Sequence, residues 1–295
     1  MAAKIVISEQ LKQDLPQNKW GKILGVTPIV MTVIATMLAG LASSEMTRAQ
    51  YDRSLAAELQ SKAGDQWGYY QAKKLRGALA QNTLDLLAAT SELAPLEAAA
   101  LPGADAPTLA ALTEARLPDA SPARFPDEVQ AALDLVVNSR PEAEIAAALA
   151  RVKSATLPGS LTDALNAAMA FDSATKAINK AVDKGETTLV KGDKIIFRGF
   201  AAARLRYTAA RYETEARLNL GVAGIYELQV RQSNYSADKH RARSSKFFFG
   251  MLAAQLAVIV STFAIAARQR SFLWSIAAAA GTAAVAFSLY VFLYV

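Results

Sequence analysis

Residues 246–295 read KFFFGMLAAQLAVIVSTFAIAARQRSFLWSIAAAAGTAAVAFSLYVFLYV, two uncharged apolar runs separated by Arg268-Gln269-Arg270. The first run, 247–267, has 21 residues and the second, 271–295, has 25. A helix rises about 1.5 Å per residue and needs about 20 such residues to cross roughly 30 Å of hydrocarbon. A third run, 23–44, has 22 residues without a charge. Interfacial anchors flank all three: Trp20 with Lys19 and Lys22, Lys246 with Phe247, Phe248 and Phe249, and Trp274 with Tyr290 and Tyr294. The expectation is a multi-pass membrane protein with a bilayer as its first partner. Ala42-Ser43-Ser44 faintly resembles a signal cleavage site, but a 22-residue lead and a long apolar core argue against a secretory signal.

Composition narrows the chemistry. The 295 residues are 53% hydrophobic and 20% charged, more apolar than an ordinary soluble domain. With no cysteine and one histidine, disulfides, thiolate metal sites, cysteine nucleophiles and multi-histidine clusters are excluded. Neither a phosphate loop nor HExxH or GxSxG occurs, so no cofactor, metal or catalytic residue is expected and the chain is read as a non-enzyme. The net charge of +6 sits at the membrane boundaries, because residues 45–267 carry 26 basic and 24 acidic side chains. That balance leaves no nucleic-acid footprint. The spans contain no ionisable residue for a proton relay, and Gln255 is their most polar member. Small residues recur every four positions instead: Thr32, Thr36 and Gly40; Gly250 and Ala254; Ala277, Gly281 and Ala284. Such spacing lets helices approach closely.

Between the first and second spans the texture changes twice. Residues 45–94 hold no proline before the end of the helical pattern, and Tyr51, Leu55, Leu59, Ala63, Trp67, Tyr70, Leu75, Leu79 and Leu86 recur at helical spacing. This predicts a long ascending helix continuous with the first span, of roughly 75 Å for about 50 residues. Residues 95–199 form an insert in which Pro95, Pro102, Pro107, Pro118, Pro122, Pro126, Pro141 and Pro158 break short Ala/Leu-rich helices. Ser160 and Asp163 suggest a capping box opening a longer helix to about Lys184. β-branched residues around Lys191-Gly192-Asp193 suggest a small β-hairpin at 186–198. In 200–246, positions 205, 209, 212, 216, 219, 223, 226 and 230 alternate in steps of four and three and are apolar except Asn219, a coiled-coil seam with one polar position. Glu213 and Arg217 are expected to pair on its exposed face.

The expected fold class is an all-α membrane protein: a basic tail (1–22), three transmembrane helices (23–44, 247–267, 271–295), a long antiparallel coiled-coil-like helical hairpin (45–94 and 200–246), and an Ala/Pro-rich helical cap (95–199) with the one small β-hairpin. Lys4, Lys12, Lys19 and Lys22 in the tail and Arg268 and Arg270 in the loop place both on the cytoplasmic side, with the helical domain extracytoplasmic. Lys239, Arg241, Arg243 and Lys246, with Arg268 and Arg270, are candidate lipid head-group contacts. His240 falls in that basic collar and is expected to be solvated.

Two stretches carry a family resemblance. The run Ser61-Lys62-Ala63-Gly64-Asp65-Gln66-Trp67-Gly68-Tyr69-Tyr70-Gln71-Ala72-Lys73, and the closing spans around Arg268-Gln269-Arg270 with Trp274, resemble the uncharacterised bacterial membrane family domain of unknown function 4337. The resemblance covers 23–87 and 202–295; the Ala/Pro-rich insert departs from it. It implies a bacterial inner (plasma) membrane location and an architecture, not an activity. Within the signature, Asp65, Gln66, Trp67, Tyr69, Tyr70, Gln71 and Lys73 form the candidate interaction patch, since Trp and Tyr dominate interface hot spots. The bland reading is that Trp67 and Tyr70 fill the seam. The functional expectation is an assembly scaffold that self-associates as a homo-oligomer or meets another membrane or envelope protein. The alternative is a channel or transporter accessory whose oligomerised spans line a pore. A third reading, a membrane-tethered enzyme in the insert, calls for a concave pocket there with convergent ionisable groups.

Overall fold

A computed structural model describes residues 19–101, 103–119, 121–189, 193–266 and 270–294. These residues form α-helices, one short 3-10 turn and connecting loops, with no strand among them. The helices are α1 (Lys19–Thr90), α2 (Ala106–Thr113), α3 (Asp127–Val137), α4 (Glu142–Leu149), α5 (Thr156–Leu189), α6 (Lys194–Ala266) and α7 (Arg270–Tyr294), with the 3-10 turn at Ala98–Ala100. Three of them, α1, α6 and α7, hold stretches long and apolar enough to cross a membrane. Contacts divide the chain into two compact units, one of the described residues up to Ser54 and from Asn234 onward, the other Leu55–Ser233.

The hairpin expected at 186–198 does not form. Residues up to Leu189 close α5, and α6 opens at Lys194, while 190–192 lie outside the described residues. The reason is local capping. Asp193 accepts a hydrogen bond from the Ile195 amide at 2.8 Å and its carbonyl accepts from Phe197 N–H at 2.9 Å, so the sequence that reads as a turn starts a helix. Thr187 and Thr188 donate back to the Lys184 carbonyl at 2.8 and 3.0 Å, which suits β-branched hydroxyl residues to a helix end. The basic tail also lies outside the described residues up to position 18.

Four of the insert prolines stand at helix starts. Pro107 sits in the first turn of α2, where Asp105 caps Thr108 N–H at 3.0 Å, and Pro126 and Pro141 stand at the N-caps of α3 and α4. Ala115 (φ 54°) and Ser139 (φ 50°) take the left-handed conformation just past α2 and α3, closing those helices without glycine. The fifth helix begins at Thr156, upstream of the expected Ser160 cap, with Pro158 tolerated in its first turn.

In the unit Leu55–Ser233 the central element is α6. Between positions 200 and 230 only Arg206, Glu213 and Arg217 are exposed. One side meets α1, where Lys74 pairs with Glu213 at 3.0 Å and Lys73 with Glu215, so rising numbers on α1 meet falling numbers on α6. Other sides are covered by the insert. Tyr207, Phe200 and Ala203 share a core with Leu101, Ala111, Leu112, Ile178 and Val182, and the Tyr207 hydroxyl donates to Asn179 Oδ1 at 2.7 Å. Leu133 of α3 comes so close to Gly224 that a Cβ there would lie 2.8 Å from its Cδ2.

The helix α1 buries only part of the expected row: Ala63 is buried and Leu55, Leu59, Trp67 and Tyr70 are half-buried, but the rest turns outward. Tyr51, Leu75, Leu79 and Leu86 are 68%, 72%, 64% and 65% exposed, whereas Ala35, Ala42, Ala49, Ala56 and Ala63, spaced by sevens, are buried, followed by Gly77, Ala80 and Leu84. The sixth helix answers with Ala202, Ala216, Ala223, Val230, Ala237 and Ser244, also buried and in register by sevens. Small side chains let helix backbones approach, so size outranks hydrophobicity at this seam. Asn219 is half-buried, and its amide donates to the Glu215 carbonyl of its own helix at 2.7 Å.

In the other unit α1, α6 and α7 pack as three helices. Leu38 and Ala42 meet Phe247 and Val291, and Ala35 meets Ala254 and Ala284. Gly250 and Gly281 are true close approaches, since a Cβ at either would fall within 3 Å of Ser288 Oγ or Met31 Sδ. Thr32, Thr36 and Gly40 instead face outward, with both hydroxyls bonded to their own helix.

Candidate functional site

The signature residues divide between two sides of α1. Trp67 and Tyr70 are half-buried and meet edge to face, ring centroids 5.6 Å apart at 85°. Lys73 turns to α6 and pairs with Glu215, which is 9% exposed and also faces Arg211 Nε at 3.4 Å. The Tyr212 ring lies under both cations, 5.3 Å from Lys73 Nζ and 4.6 Å from Arg211 Cζ. A half-buried ion network of this kind costs desolvation and recovers it through mutual pairing, so Lys73 joins helix to helix. Asp65, Tyr69 and Gln71 remain exposed and Gln66 is half-buried.

Nearby charges behave as surface pairs. The Lys74 ammonium, hydrogen-bonded to and attracted by Glu213, is raised above the usual lysine range. Glu213 thereby pairs across to α1 instead of along α6 to Arg217, whose guanidinium donates to the Thr214 hydroxyl at 3.4 Å and meets no carboxylate among the described residues.

Trp67 and Tyr70 open onto a cleft of about 750 Å³ formed by α1, α3, α4 and α6. Phe125, Leu133 and Ile145 supply further apolar wall; Gly221 leaves helix backbone uncovered where a side chain would fill the space, and Leu133 packs on Gly224. Sequence reasoning missed this cleft because the insert supplies one wall and the paired glycines of α6 carry no chemistry of their own. Its ionisable side chains are mostly engaged pairwise: Arg231 with Glu142 at 3.2 Å and Glu227 at 3.3 Å, Arg140 with Glu144 at 3.2 Å, and Asp134 with the Gln130 amide at 2.9 Å.

A second face of α1 is fully outward. Gly68, Ala72, Leu75, Leu79, Asn82 and Leu86, spaced by alternating fours and threes, are all exposed. This is a heptad stripe with a single polar position, parallel in pattern to the buried one.

The basic collar corrects one expectation. His240 is half-buried, its Nδ1 2.5 Å from Glu45 Oε2 and its Nε2 3.9 Å from Asp52 Oδ2. Ser244 donates to the Ala42 carbonyl at 2.7 Å and Arg53 pairs with Asp238 at 2.6 Å, so the collar ties α1 to α6. Lys239 and Arg241 are exposed, while Arg243 and Lys246 are half-buried. Arg268 lies outside the described residues, as does the Arg270 side chain. Among the described residues no group of three or more metal-ligating side chains gathers.

Residues 20–114 match the family described as Domain of unknown function (DUF4337). The DUF4337 match takes in α1, its signature segment and the start of the insert through α2, about a third of the chain. The cleft's aromatic pair and the outward heptad stripe both fall inside it, whereas α6 and α7 lie beyond it. Neither a curated protein nor a solved structure matches the chain.

Proposed function

We propose that the protein is a membrane-anchored, non-enzymatic assembly scaffold that self-associates through the outward stripe of α1. The observation that carries this reading is the exposure of Leu75, Leu79 and Leu86 at 72%, 64% and 65% on one helix face. Contiguous large apolar side chains on a surface mark an interaction site. The occupant is a second copy of the chain, because the stripe repeats by heptads with Asn82 as a register-setting polar position, the pattern by which like helices pair. Outward Thr32, Thr36 and Gly40 offer the first span a matching small-residue ridge. Lys239 and Arg241, exposed, would meet anionic head groups, and the helical unit would lie outside the cytoplasm of a bacterial inner membrane, as the basic tail and loop suggest.

Native mass measurement of the full chain in nanodiscs tests the scaffold. Leu75→Glu with Leu79→Glu should convert the oligomer to monomer with its melting temperature retained; an unchanged oligomer, or a monomeric parent, would refute the reading. The pore alternative rests on Gln255, exposed on its span. Disulfide capture of Gln255→Cys between copies, with Leu79→Cys uncaptured, would favour it. For orientation, a cysteine at Asp193 should react with an impermeant thiol reagent in cells with a permeabilised outer envelope. Protection there would reverse it.

A further inference from the structure

We infer that the cleft against Trp67 and Tyr70 is a binding site for a small amphipathic monoanion with a flat aromatic body and one carboxylate. The argument starts from volume. About 750 Å³ lies within the usual range of ligand pockets, and its walls are mainly apolar and aromatic. The edge-to-face contact of Trp67 with Tyr70 fixes both rings, which offers a flat guest a stacking surface already ordered before binding. The floor is bare at Gly221, where α6 brings backbone to the cleft, whereas Leu133 covers Gly224. An added Cβ at 221 would find only Phe125 Cζ, at 3.8 Å, so space there is open to a guest.

Charge then selects the guest. Three arginines line the cleft. Arg231 is matched by Glu142 and Glu227, and Arg140 by Glu144. Arg217 meets no carboxylate among the described residues; its one contact is the Thr214 hydroxyl at 3.4 Å. A planar guanidinium without a partner presents a two-pronged donor that a carboxylate matches in shape and charge. The cleft carboxylates raise the penalty for a second negative charge: Asp134, Glu142 and Glu227 all stand on its wall. One anionic group on an aromatic body therefore fits, and a polyanion does not.

Equilibrium dialysis of the full-length protein in nanodiscs, with empty nanodiscs as blank, tests the site using 2-naphthoate and its uncharged isostere 2-naphthamide. Naphthoate should bind saturably and at least tenfold tighter than naphthamide. Arg217→Gln should bring naphthoate down to the naphthamide level and leave naphthamide unchanged, while Gly221→Leu should abolish both. Equal binding of the two probes, no saturable binding above the blank, or full naphthoate affinity in Arg217→Gln would overturn the assignment. A melting curve like the parent's checks that Arg217→Gln is folded. If it is not, Arg217→Lys, which keeps the charge without the fork, should still weaken naphthoate at least threefold, and unchanged affinity would count against the site. None of these readouts depends on self-association, so the scaffold reading stands or falls separately.

Discussion

Replacing Ala63 with leucine asks whether the α1–α6 seam is governed by size or by hydrophobicity. Ala63 is 0% exposed and belongs to the row of buried alanines spaced by sevens. If the seam wanted only apolar surface, three added carbons would stabilise it by about 2 kcal/mol, at roughly 0.8 kcal/mol per buried methylene. The structure argues for the opposite sign. Two heptads further along the same row, a Cβ placed on Gly77 already finds Tyr212 Cβ at 3.5 Å and the Ala209 carbonyl oxygen at 3.6 Å. At position 77 the partner backbone thus stands at van der Waals distance from a first side-chain carbon, and at Ala63, fully buried in the same row, γ and δ carbons are expected to press on α6. Overpacking of this kind costs about 1–3 kcal/mol. For a unit of this size 2 kcal/mol corresponds to a melting temperature about 4–8 °C lower. Ala57, exposed on the same helix, is the control, and Ala57→Leu should stay within about 0.5 kcal/mol. Circular dichroism melts of the full chain in nanodiscs read both. A melting temperature for Ala63→Leu equal to or above the parent's would refute the size-limited seam.

Two further outcomes are expected. Lys73→Met should cost about 1–3 kcal/mol by leaving Glu215, 9% exposed, beside Arg211 alone, and adding Glu215→Leu should restore part of the loss; an additive double variant in thermal melts would argue against coupling. Burial pushes the Tyr207 phenol up to about 12, with Arg211 opposing and Glu215 reinforcing the rise. Because the folded value lies above the ordinary 10.0, this stabilisation of roughly 2–3 kcal/mol is fully present below pH 10 and is lost as pH rises through about 12. Tyr207→Phe should flatten the fall in melting temperature between those values, and an unchanged alkaline slope would contradict it.

Much of the local structure was legible. The uncharged runs mark the helices that are long and apolar enough to span, because that signal needs only length and composition. Pro107, Pro126 and Pro141 mark helix starts in the insert, because a fixed φ and a missing N–H act locally. The strand expectation at 186–198 failed where β-branched propensity competed with an aspartate cap and the cap won. His240 was misplaced for another reason: its basic neighbours in sequence point elsewhere, and the carboxylates that flank it, Glu45 and Asp52, come from a helix nearly two hundred positions away. The pairing of Glu213 with Lys74 in place of Arg217 is the same lesson in a charge.

By itself the sequence determined that the described residues are mostly helical, where the three runs long and apolar enough to span lie, and that the charge excess sits beside those runs. Tertiary structure alone decided which face of each helix is inside. Periodicity shows that α1 has apolar residues all along it, but leucine and alanine rows both satisfy a heptad, and only the distance to α6 selects between them. That distance favours alanine, and so Leu75, Leu79 and Leu86 are left facing outward. The cleft has the same origin, since Trp67, Leu133 and Gly221 come from three separate segments and acquire a shared volume only when those segments are packed together.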